Sequence, residues 1–205
     1  MPVIVVANPK GGVGKSTLAT NVAGCLAAAG HAVMLGDVDR QQSARQWLAL
    51  RPPSLPRIAG WDVAHDDVVR PPRGTSHVVL DTPAGLHGKR LEAVLKIADR
   101  LLVPLAASLF DIQATHAFVN LVRQHRRAPD IELGLVAMRV REHTRAHDQL
   151  HQYLDSLGVP VVAWLRDTQN YVQLAAHGLT LFDVAPGRVE RDLEQWQPLG
   201  AWLGA

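Results

Sequence analysis

The hydrophobic positions of this chain fall into short blocks separated by polar and glycine-rich stretches. Val3-Ile4-Val5-Val6 opens it without a polar interruption, and a β-branched run apolar on both faces predicts a buried strand over 3–7. An alanine-rich stretch over 16–29, stopped by Gly30, predicts the first helix. The next block predicts a strand over 31–36, and 42–50 reads as a short helix. Further strands are predicted over 78–80, 100–105, 131–137 and 159–165, with helices over 112–126 and 144–157. Pro52, Pro53, Pro56, Pro71 and Pro72 break the pattern in between and leave only scattered strand signal there.

Strands that alternate with helices, most of them apolar on both sides, imply an α/β fold with a mostly parallel sheet flanked by helices on both faces. The 205 residues carry no internal repeat, low-complexity tract or linker, so they read as a single domain over 1–205.

The densest chemistry lies between the first strand and the first helix, in Lys10-Gly11-Gly12-Val13-Gly14-Lys15-Ser16-Thr17. A glycine-rich loop in that position is a P-loop. Glycines let backbone N–H groups turn inward and approach phosphate oxygens, and the helix that follows aims its positive end at the anion. Lys15 supplies a cation for the β- and γ-phosphates, and Ser16 a hydroxyl for Mg²⁺. Pro9 stands where the general pattern has its first glycine, and Lys10 adds a second lysine at the start of the loop. This arrangement resembles the deviant Walker A box of the ParA/MinD family of P-loop ATPases. The resemblance implies that Lys10 reaches across a dimer to the partner's nucleotide.

Two further segments fit the resemblance. Asp37-Val38-Asp39-Arg40-Gln41-Gln42 follows the second strand, with carboxylates at i and i+2 where α/β folds bind ligands. It is similar to the family's switch segment, which implies that Asp39 orients the attacking water and Asp37 supports Mg²⁺. Arg40 stands at the family's usual proline, and a solvated Asp turn is the plain alternative. Val78-Val79-Leu80-Asp81-Thr82-Pro83-Ala84-Gly85 resembles a Walker B strand end, where Asp81 would accept hydrogen bonds from water on Mg²⁺ and Gly85 would allow movement when the γ-phosphate leaves. Met138 falls where the family has a base-recognising asparagine, and it reads equally as a core residue.

Charge adds one question. The formal net charge is only +2, which leaves room for a local basic face. Arg123, Arg126 and Arg127 end one predicted helix, Arg139, Arg141 and Arg145 follow the next strand, and Arg188 and Arg191 begin the last helix. Arginines in such places contact DNA phosphates without reading sequence, or pair with Asp130, Glu132 and Glu142. Near the C-terminus, Leu193, Trp196, Leu199, Trp202 and Leu203 are interleaved with acidic residues and Pro198, which suits packing against the core better than anionic lipid. The one cysteine, Cys25, lies among apolar helix residues and reads as a packing residue. With neither an internal disulfide, a basic signal region nor a membrane-length apolar run, the chain is expected in the cytoplasm.

Taken as a ParA-like protein, the chain is expected to bind ATP and Mg²⁺ and to form a homodimer with ATP. It is then expected to associate with non-specific DNA of the nucleoid and to answer to a cargo adaptor or centromere-binding protein that stimulates hydrolysis. A membrane-cycling regulator of the MinD type and a metabolic enzyme on the same scaffold are the alternatives.

Overall fold

The computed structural model describes residues 1–63, 74–106, 108–141 and 144–205, so Pro71, Pro72 and Glu142 lie outside the described residues. In chain order the elements are β1 (Val3–Val6), α1 (Lys15–Ala28), β2 (Val33–Asp37), α2 (Ser43–Leu50), β3 (Ile58–Trp61), β4 (His77–Asp81), α3 (Gly88–Ile97), β5 (Arg100–Ala106), α4 (Leu109–Arg123), β6 (Glu132–Val140), α5 (Arg145–Ser156), β7 (Val161–Arg166), α6 (Asn170–Ala175) and α7 (Glu190–Leu203). The seven strands make one sheet in the order β3-β2-β4-β1-β5-β6-β7, and every neighbouring pair is parallel. This is the α/β architecture that the hydrophobic blocks imply.

The central strands are apolar on both sides because each side meets a helical layer. Val3 and Val5 face the layer built by Leu91, Leu95, Val119 and Leu154, whereas Ile4 and Val6 face the layer of Leu18, Leu26, Trp47 and Trp196. The period-2 geometry of a strand sends neighbours to opposite layers, so polarity on either side would be costly. The last helix packs as expected: Trp196, Leu199 and Leu203 are buried, and Trp196 Nε1 donates to Tyr171 Oη at 2.8 Å. Cys25 is buried too, and burial pushes its thiol up to about 11.

Three elements differ from the sequence expectation. α3 is a full helix where none is anticipated, although Leu91, Val94 and Leu95 show its buried i, i+3, i+4 stripe. α6 is too short to carry a periodic signal. β3 survives among prolines because it is an edge strand, paired with β2 alone and anchored by buried Ile58 and Trp61.

The order of the strands fixes where the loops meet. β1 is central, flanked by β4 and β5. The chain leaves β1 toward β2 on one side and later leaves β4 for β5 on the other, so a crevice opens at the carboxyl ends of β1 and β4. Beyond β7, residues 170–189 are tied back to α1 and α2. Leu181 N donates to Asn21 Oδ1 at 3.2 Å, and Arg51 pairs with Asp183 through two 2.8 Å bonds. The two side chains of that pair are 5% and 1% exposed. Burial alone would raise the Asp183 carboxyl, but hydrogen bonds from Arg51 and Thr180 hold it below its ordinary value.

Breaking a buried ion pair from one side leaves the other charge uncompensated. Arg51→Ala is therefore expected to destabilise the fold by about 3–5 kcal/mol. Urea denaturation checks this, and a loss of under about 1 kcal/mol, the value of an exposed pair, would show that the pair is not effectively buried.

Candidate functional site

The P-loop is held from three sides before any ligand is considered. At its start Asn8 is wholly buried. Its Nδ2 donates to Pro104 O at 2.9 Å and Thr115 Oγ1 at 3.0 Å, and its Oδ1 accepts from Lys10 N at 2.9 Å. One amide thus pins the loop to β5 and α4. At its end Gly14 takes φ +95°, a left-handed turn that requires glycine, and it packs against the mobile end of the Met138 side chain on β6. Along its flank Arg139 Nη2 donates to Gly12 O at 2.7 Å. α1 begins at Lys15 with no side-chain cap and no acidic residue in its first turn, which leaves its first N–H groups to an anion.

Lys15 is buried at 8% exposure, and its Nζ donates to Lys10 O at 2.7 Å. Burial lowers its pKa, while Asp81 and Asp39 work in the other direction. The ammonium therefore sits among carboxylates inside the loop, while Lys10 stays half-exposed at the loop's outer start.

The acidic residues divide by role. Asp37 and Asp81 sit side by side in the β2–β4 register, and Asp81 also aligns with Val6 beside the P-loop. Asp37 is committed to backbone: Oδ1 accepts from Asp39 N at 2.9 Å, and Oδ2 from Ala44 N at 2.9 Å and Arg45 N at 3.3 Å. It caps α2 and shapes the turn that carries Asp39, which departs from the expectation that Asp37 supports the metal. Asp39 is half-buried, and its Oδ1 accepts from Gln41 N at 3.0 Å. Asp81 is 1% exposed, and neither of its oxygens has a well-formed hydrogen bond, the Ser16 hydroxyl nearby acting only as a weak donor. Burial raises its carboxyl to about 7 against the lowering effect of the nearby Ser16 hydroxyl and Lys15 ammonium, with Asp37 and Asp39 adding to the rise. A buried carboxylate without a partner, beside a serine hydroxyl, is the donor set a hard divalent cation takes. Ser16 and Asp81 fit Mg²⁺, and Asp37 stands behind them.

The loop after β4 joins the P-loop directly. Gly85 N donates to Pro9 O at 2.8 Å, and Val38 N donates to Asp81 O at 3.1 Å. Displacement of one loop is therefore felt by the other two. A cavity of about 400 Å³ beside the P-loop is lined by Gly14, Thr17, Met138, Arg141, Asp167 and Gln169, among others. Met138 is 3% exposed in the core beneath it.

This geometry now meets the comparisons. The model of the CobQ/CobB/MinD/ParA nucleotide binding domain matches residues 4–181. The chain belongs to that family. It is a P-loop ATPase, and its loops lie where such an enzyme needs them. Maintenance of carboxysome distribution protein A of Gloeobacter kilaueensis is 39% identical over 116 residues, which span 54% of this chain and 51% of that protein. The protein of the same name from Halothiobacillus neapolitanus is 26% identical over 199 residues, 92% of this chain and 91% of its own length. Among solved structures, a Cyanothece McdA–ATP complex superposes with a TM-score of 0.73 at 16% identity, covering 98% of this chain and 96% of that one.

The arginines read as a basic face are not brought together. Arg139 and Arg141 stand at the carboxyl end of β6, where Arg139 bonds the P-loop and Arg141 pairs with Asp167 at 2.6 Å. Arg188 is exposed ahead of α7, whose first turn lies at the same end. Arg123 donates to Leu157 O and Gly158 O just before β7, and Arg127 bonds Lys96 O just before β5, so both lie at the opposite edge of the sheet, where Arg126 is exposed between them. The sequence reading missed Asn8 and Arg139 as parts of the loop. An asparagine directly between an apolar strand and a glycine-rich loop is the one signal that could have pointed to Asn8.

The raised Asp81 carboxyl has a measurable consequence. Between the ordinary carboxylate value and about 7 the unfolded chain is ionised at this position and the folded chain is not. Stability contributed by the protonated form is thus lost as pH rises through that window. In metal-free protein, Asp81→Asn is expected to match wild type near the low end of the window and to have the higher urea midpoint above its upper end. A variant less stable than wild type above that window contradicts an unpaired buried charge.

Proposed function

We propose that this ATPase positions a cargo, and that ATP joins two copies face to face through their P-loops. ATP would place its phosphates on the 11–17 loop and its base in the cavity over Met138. Ser16 and Asp81 would hold Mg²⁺, and Asp39 would orient the attacking water. The observation that carries the reading is the division of labour between two lysines. Lys15 fills the inside of the loop and bonds the carbonyl of Lys10, which leaves the half-exposed Lys10 as the lysine that would reach a partner's phosphates, where its charge would couple nucleotide to assembly. Gly12 supports this, since its φ of +76° already suits only glycine and a Cβ there meets nothing within 4 Å in this copy, which leaves open space over the loop for a second molecule. The homology to carboxysome distribution proteins supports a positioning role.

In such a dimer the carboxyl end of the sheet faces the partner. The outward basic group is then Arg123, Arg126 and Arg127, which would hold non-specific DNA phosphates of the nucleoid. A cargo adaptor or centromere-binding protein would stimulate hydrolysis and release. The membrane alternative is weakened because α7 spends Trp196, Leu199 and Leu203 on the core. Among the described residues, no helix is long and apolar enough to cross a membrane.

Two measurements test this. In calorimetry Lys15→Ala is expected to lose Mg-ATP binding, whereas Asp39→Ala should bind ATP normally and accumulate as an ATP-bound dimer; wild-type turnover by Asp39→Ala would remove Asp39 from its role. In light scattering with a non-hydrolysable ATP analogue, wild type should dimerise and Gly12→Val and Lys10→Ala should bind nucleotide yet stay largely monomeric. Joint replacement of Arg123, Arg126 and Arg127 by alanine should then abolish a low-salt, ATP-dependent gel shift on random duplex DNA that wild type gives. A Lys10→Ala dimer as tight as wild type, or a shift that ignores nucleotide, would count against the proposal.

A further inference from the structure

Three independent features converge on Arg139. The pairing of β6 with β7 slips in register between Ala137 and Val140, which places Met138 and Arg139 in an irregularity of the strand, and bulges of this kind re-aim side chains beside active sites. Arg139 itself has φ +53°; Gln42 is the one other described non-glycine residue with positive φ. Backbone held in that region persists only where its surroundings over-determine it. The turn delivers the guanidinium to Gly12 O, 2.7 Å away across 127 residues of sequence, although Arg139 is otherwise exposed.

The bonded carbonyl belongs to the peptide between Gly12 and Val13. No peptide among the described residues is cis, and in a planar trans peptide the N–H points opposite to the C=O. A guanidinium that holds the Gly12 carbonyl therefore also sets the direction of the Val13 N–H, on the side away from Arg139. P-loops bind phosphate through backbone N–H groups turned inward, and a carbonyl that swung inward would oppose the anion. Gly12 gives this peptide the freedom to flip, so an external restraint has something to restrain.

We propose that Arg139 is a positioning residue of the phosphate loop, its strained backbone aiming a guanidinium that keeps the Gly12–Val13 peptide turned with its N–H toward the nucleotide. This rests on the Mg-ATP reading of the same loop. It removes Arg139 from the DNA-contacting set and gives its unfavourable φ a purpose.

The decisive variant is Arg139→Gly, because glycine relaxes φ +53° while deleting the guanidinium. Mg-ATP titrations by calorimetry, urea denaturation and a gel shift at saturating nucleotide analogue are run on wild type, Arg139→Gly and Arg139→Lys. Arg139→Gly should keep or raise the urea midpoint, weaken Mg-ATP about tenfold as expected for a lost charge-assisted bond, and leave DNA affinity at saturation unchanged. Arg139→Lys should recover part of the nucleotide affinity. Unchanged Mg-ATP affinity in Arg139→Gly, a loss of affinity accompanied by a lower urea midpoint, or weaker DNA binding at saturation would each overturn the proposal. Failure of wild type to bind Mg-ATP would instead overturn the reading of the loop on which it rests.

Discussion

Asp81 is a costly group to bury: a carboxyl shut from water, with no well-formed hydrogen bond to either oxygen and only the Ser16 hydroxyl nearby as a weak donor. Burying such a group unpaired carries a large desolvation penalty. The fold places it at the end of β4, in register with Asp37 and Val6, so that it looks onto Ser16 and Lys15. Lys15 offsets part of the charge from inside the P-loop but is itself pulled toward neutrality by burial. The Mg-ATP proposed for this loop would set a divalent cation against the Asp81 carboxyl and a phosphate against the Lys15 ammonium, which now bonds the carbonyl of Lys10.

The surrounding loops are linked so that filling the site would be felt beyond it. Gly85 bonds Pro9, Val38 bonds Asp81, and Asp37 spans from the turn of Asp39 to the first N–H groups of α2. Asn8 and Arg139 restrain the P-loop from the other side, one from β5 and α4, one from β6. Backbone hydrogen bonds between loops at strand ends are the kind of connection through which a phosphate's departure moves a switch segment.

Much of this was open to reading along the chain. Parallel strands buried between helical layers need runs that are apolar on both faces, and six of the seven mark themselves in this way without any knowledge of their partners, the edge strand β3 being the exception. The P-loop is equally local, because turning backbone N–H groups onto phosphate demands glycines and a lysine at fixed spacing between a strand and a helix. Asp81 and Asp39 stand out as candidates because one ends a strand and the other lies two residues beyond one. α3 escaped because its apolar stripe is narrow and its first turn carries Gly88, Lys89 and Arg90 in place of a cap.

What the chain alone could not decide were relations between residues far apart in it. Met138 reads equally as a base contact or as core until β6 is seen to slide it under Gly14. The arginines look like one basic face until the parallel sheet carries them to two opposite edges. Asp37 and Asp81 look alike until hydrogen bonding separates a cap from an unpaired acid. Local chemistry is set by nearest neighbours along the backbone and is legible there. Burial, pairing and the direction in which a guanidinium points depend on which distant strands become neighbours, and that is settled only when the sheet assembles.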